Sequence, residues 1–194
     1  MSDLTITTAG VSESKVSGGE FLSADKKLNQ MKIDLIDVAV APDAGDTGAM
    51  IAGDLLFLVT EIPNAVATKG GSAILQSVVA ISSGTVVTGG FDIVLTSDST
   101  ALVDESGNAE PNDAVTTSPD IDSPLSVIDG TFGIVSFPSL TTVSTLAAVG
   151  DKQNIGMVCK AESDTRSLYV WGIVQNTTDY NEGVITLRFG FVQD

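Results

Sequence analysis

An all-β fold, a two-sheet antiparallel β-sandwich carrying an extended amino-terminal arm, is the architecture this sequence predicts. Three observations lead to it. From residue 32 on, short runs rich in Val, Ile, Thr and Phe are broken every 8 to 20 residues by Gly, Pro, Asp and Asn, which is the punctuation of strands and turns. Within several runs apolar and polar residues alternate with period two, the mark of half-buried strands. No stretch longer than 12 residues holds a helical period.

The elements follow in order. Residues 1–30 are polar and rich in Ser, Gly and other small residues, with weak apolar marks at Val16, Phe21 and Leu22. Such a segment buries too little apolar area to offset its ordering entropy, so it reads as a flexible arm, with one or two helical turns expected over 23–31. Residues 31–194 read as one sandwich domain, within the ordinary size of a domain. Strands are expected over 32–40, 54–62, 72–82, 90–97, 133–137, 153–161, 167–175 and 184–192. In the first, Ile33 and Leu35 face one side and Lys32 and Asp34 the other; in the last, Val184, Thr186 and Arg188 alternate with Ile185, Leu187 and Phe189. Each strand thus has a dry face. The segment 141–150 is the best helical candidate of the second half, with Ser or Thr as cap and Gly150 as stop. Residues 98–129 form a long acidic loop containing Pro111, Pro119 and Pro124, and loops of this length in compact domains commonly carry contacts.

Charge and composition narrow the chemistry. With 25 acidic and 9 basic residues the formal net charge is −16, which disfavours nucleic acid and anionic membrane as partners. No apolar run approaches the ~20 residues of a membrane helix, and the first residues lack the basic and apolar regions of a secretory signal. Histidine is absent from all 194 residues. That removes the commonest general base and metal ligand, and with them Ser-His-Asp and Cys-His arrangements. The single cysteine, Cys159, cannot form an intramolecular disulfide and reads as an inert core thiol.

No motif in the chain demands a cofactor, a metal or a catalytic role. The most metal-like run offers Asp98, Asp104, Glu105, Asn108, Glu110 and Asp113 around Gly107. These are hard oxygen ligands, but their spacing departs from the EF-hand pattern and no helices flank them. Asp43 with Asp46 is a weaker candidate. Asp129, Glu162 and Asp164 could serve a glycosidase pair only across a cleft, and read better as solvated acids. The paired glycines at 70–71 and 89–90 match no phosphate-binding spacing and read as turns. Phe91, Tyr169, Trp171, Phe189 and Phe191 fall in expected strands and read mainly as core. Tyr169 and Trp171, two residues apart, share a strand face and are candidates for either core or contact.

Five segments carry a resemblance: GGSAILQSVVAIS, FDIVLTSDST, DKQNIGMVCKA, TRSLYVWGIVQNTTDY and the ending ITLRFGFVQD. In these the chain, from about Gly71 to Asp194, resembles a family of small auxiliary virion proteins of tailed bacteriophages, of the head decoration or cement type. The terminal segment is the most specific. The resemblance implies a β-sandwich, with a jelly roll as one form of it, displayed on the virion without catalytic residues. The implied partners are the major capsid protein and the chain itself, with a trimer as the expected oligomer, at the capsid surface after synthesis in the host cytoplasm. The acidic insertion and the arm depart from the family pattern, so contacts are expected at Ser2, Asp3, Leu4, Val16, Phe21, Glu105, Asn108, Glu110, Tyr169 and Trp171, that is, mainly within 2–20 and 104–118. The alternatives are a tail, baseplate or fibre component that binds host surface or glycan, and, more remotely, a carboxylate-based glycan depolymerase.

Overall fold

The computed structural model describes residues 33–42, 50–83, 89–99, 130–176 and 184–193. All of them belong to the unit Ile33–Asp194. They form nine strands and, among the described residues, no helix. The strands are β1 (Ile33–Val40), β2 (Leu55–Ile62), β3 (Ser72–Ser83), β4 (Phe91–Thr96), β5 (Thr131–Phe137), β6 (Thr141–Ser144), β7 (Ala147–Lys160), β8 (Leu168–Val174) and β9 (Val184–Gln193).

Two antiparallel sheets result, with strand orders β1-β9-β3-β7-β6 and β2-β8-β4-β5. The pairings nest. β1 pairs with β9, β2 with β8, β3 with β7 and β4 with β5, as in one long hairpin whose tip lies between β4 and β5. Rolling that hairpin sets β9 beside β3 and β8 beside β4, so successive pairs fall alternately into the two sheets. This is the double Greek key of a jelly roll, with β6 added at the edge beside β7.

The period-two pattern is what closes the sandwich. Ile185, Leu187, Phe189 and Phe191 of β9 are all 0% exposed and point inward, as do Leu75, Val78 and Ala80 of β3 and Phe91, Ile93 and Leu95 of β4. Phe91 stacks on Phe137 at 5.2 Å between ring centroids, joining β4 to β5. Each buried Val, Leu, Ile or Phe among them contributes about 1.5–3 kcal/mol relative to exposure. Gly172 of β8 faces Phe57 so closely that an added Cβ would lie 2.3 Å from its Cε1 and 2.7 Å from its Cδ1. The register of β2 shifts on either side of Phe57, between Leu55 and Thr60, and these bulges turn Phe57 into the core above that glycine.

Two expectations are corrected. Residues 141–150 form no helix: they are β6, a turn at 145–146 and the start of β7. Ala148 is fully buried, and a Cβ on Gly150 would lie 2.6 Å from Leu140 Cδ2 and 3.0 Å from Phe137 Cδ1. The small residues are there to let larger ones pack, and Gly150 stops nothing. The second correction concerns β1, where Ile33 and Leu35 are 52% and 65% exposed. Ile36, Val38 and Val40, of the opposite parity, face the core instead. The expected arm, the turns over 23–31 and most of the acidic loop lie outside the described residues.

Candidate interaction surfaces

Each sheet presents one face away from the main core. On the four-stranded sheet, Trp171 lies opposite Val94, which lies opposite Ile134. Leu55, Val94 and Trp171 make a second small cluster, with Val59 and Ile173 packed against it. Trp171 is only 2% exposed. Its indole Nε1–H is buried and finds no acceptor among the described residues, a cost of about 1–3 kcal/mol relative to a satisfied donor. Ile134, at 58% exposure, continues the row toward solvent.

One row further, Tyr169 stands opposite Glu61 on β2 and Thr96 on β4. Burial raises the Tyr169 phenol above its ordinary value, and the nearby carboxylates of Glu61, Glu162 and Asp164 push in the same direction, against a hydrogen bond with Ser99. Glu61 also accepts a 2.5 Å hydrogen bond from Ser167 Oγ. The tyrosine is therefore the half-buried centre of an acidic rim at the end of the sheet where the long loop departs. Asp92, at the opposite end, accepts hydrogen bonds from Ser136 Oγ and Gln175 Nε2, both at 2.5 Å. The Asp92 arrangement has no basic or nucleophile-activating member and serves to tie β4, β5 and the end of β8 together.

The outer face of the five-stranded sheet is different in kind. Ile33 pairs with Val192, Val192 with Ile74 and Ile74 with Val158, so four aliphatic residues stand in one line across β1, β9, β3 and β7. Paired residues share a sheet face. At the ~4.8 Å strand spacing the line is roughly 14 Å long. Leu35 lies in the next row, opposite Gly190. A Cβ on Gly190 would lie 2.5 Å from Ser77 Oγ, 3.4 Å from Ile33 Cγ2 and 3.6 Å from Leu35 Cδ2, so the missing side chain lets all three close over β9. Beyond them Arg188 donates to both carboxylate oxygens of Asp37, at 2.7 and 2.8 Å. That fork holds the Asp37 carboxyl below its ordinary value.

The candidate residues read from sequence are only in part brought together. Tyr169 and Trp171 do share a face, the outer one of the four-stranded sheet, and Trp171 belongs to a buried cluster there. Asp98 is described, and its backbone N–H donates to Thr96 Oγ1 at 3.1 Å. Ser2, Asp3, Leu4, Val16, Phe21, Asp104, Glu105, Asn108, Glu110 and Asp113 lie outside the described residues, as do Asp43, Asp46 and Asp129. Among the described residues no three His, Cys, Asp or Glu side chains are gathered to hold a metal ion. The apolar line on the five-stranded sheet was missed, although the Ile33, Leu35 alternation was its signal.

No family model matches the chain, and no curated protein matches it. Among solved structures it is similar to a chain of Desmodium yellow mottle tymovirus, at 13% identity and TM-score 0.26, over 82% of this chain and 85% of that one. A chain of Israeli acute paralysis virus, from a full particle, gives 9% identity and TM-score 0.27 over 98% and 83%. A chain of deformed wing virus carrying the GFP gene gives 9% and 0.29 over 98% and 88%. Likenesses this distant carry no argument about function, and the jelly roll rests on the strand order itself.

Proposed function

We propose that this chain is a non-enzymatic structural protein of a bacteriophage virion, a decoration or cement protein that binds the outer surface of the major capsid protein lattice and stabilises the head. The observation that carries the reading is the jelly-roll strand order, an architecture recurrent in viral shells as well as in lectins and cupins. Because a fold hosts many functions, the reading draws also on the resemblance of residues 71–194 to phage auxiliary virion proteins. The absence of histidine from the whole sequence adds to it. A rigid sandwich repeated on a symmetric shell gains strength by multivalency, since each further contact forms at high effective concentration.

The alternative, a tail or fibre component that grips glycan through Tyr169 and Trp171, draws less support. A sugar platform needs exposed aromatic faces, and Trp171 is 2% exposed. The deciding experiment mixes purified protein with heads that lack it, pellets them, counts bound copies and measures the heads' resistance to heat. Saturable binding at a fixed ratio to capsid subunits with raised heat resistance is expected. Heads that pellet without the protein would remove the cement role and turn attention to a glycan screen.

A further inference from the structure

We draw no further inference here: the strongest candidate, the apolar line of Ile33, Ile74, Val158 and Val192 across the outer face of the five-stranded sheet, carries none, because nothing in the structure shows what covers it.

Discussion

Cys159 sits on the inward side of β7 opposite Ala73, fully buried. Burial pushes its thiol up to about 12, so at pH 8 only about one molecule in ten thousand carries the reactive thiolate. A thiol reagent should leave the native protein unmodified and take up one equivalent after unfolding. Prompt labelling of the folded chain would place the sulfur at the surface and contradict this packing. Asp37 makes the opposite case, an exposed acid with a partner. The folded state holds it below the ordinary value of 3.8, so the contribution of its pair with Arg188 is complete well above that pH. It declines as pH falls through 3.8 and is lost below the lowered folded value. The native chain should be slightly more stable than Asp37→Asn at neutral pH, the gap being small because both side chains are solvated. Urea midpoints of the two should converge as pH falls well below 3.8. A gap that persisted there would mean that the substitution acts by something other than charge.

At the scale of elements, Gly150 separates what was legible from what was not. The run from Thr141 to Gly150 mixes β-branched and small residues, which a helix with a glycine stop and a hairpin both accommodate. The choice falls to tertiary packing, because Gly150 lies under Leu140 and Phe137. Gly150→Ala should cost about 1–3 kcal/mol by overpacking, read as a lowered urea midpoint. An unchanged midpoint would show that Leu140 can move aside. The same limit governed β1. Alternation in Ile33–Val40 was legible, but both parities carry apolar residues, Ile33 and Leu35 on one and Ile36, Val38 and Val40 on the other. Period two gives the faces, and only the neighbouring sheet decides which is inside. Strands such as β9, with Ile185, Leu187 and Phe189 against Val184, Thr186 and Arg188, left no such choice. Tyr169 and Trp171 were legible as sharing a face for the same reason, while the side of the sheet they occupy was not.

For the whole molecule, the strand order makes the end of the chain indispensable. β9 lies between β1 and β3 in the five-stranded sheet, so its removal would strip ladder partners from both. It would also delete Ile185, Leu187, Phe189 and Phe191, which are fully buried. By large-to-small values of about 2–5 kcal/mol for each buried aliphatic or aromatic side chain, the four together are worth about 8–20 kcal/mol, as much as the ~5–15 kcal/mol that holds an ordinary domain together, before the lost ladders are counted. A chain ending at residue 183 should therefore be unfolded. The beginning of the chain is a different matter. Among the described residues the main core cluster runs from Val38 to Phe191, and the polar composition of residues 1–30 reads as an arm; on that reading a chain starting at residue 31 should unfold at the same urea concentration as the full one, while losing whatever binding the arm confers. If that deletion lowered stability by more than about 1 kcal/mol, beyond the ±0.5 kcal/mol usual for surface changes, the first thirty residues would belong to the sandwich itself. The division into arm and domain would then have to be redrawn.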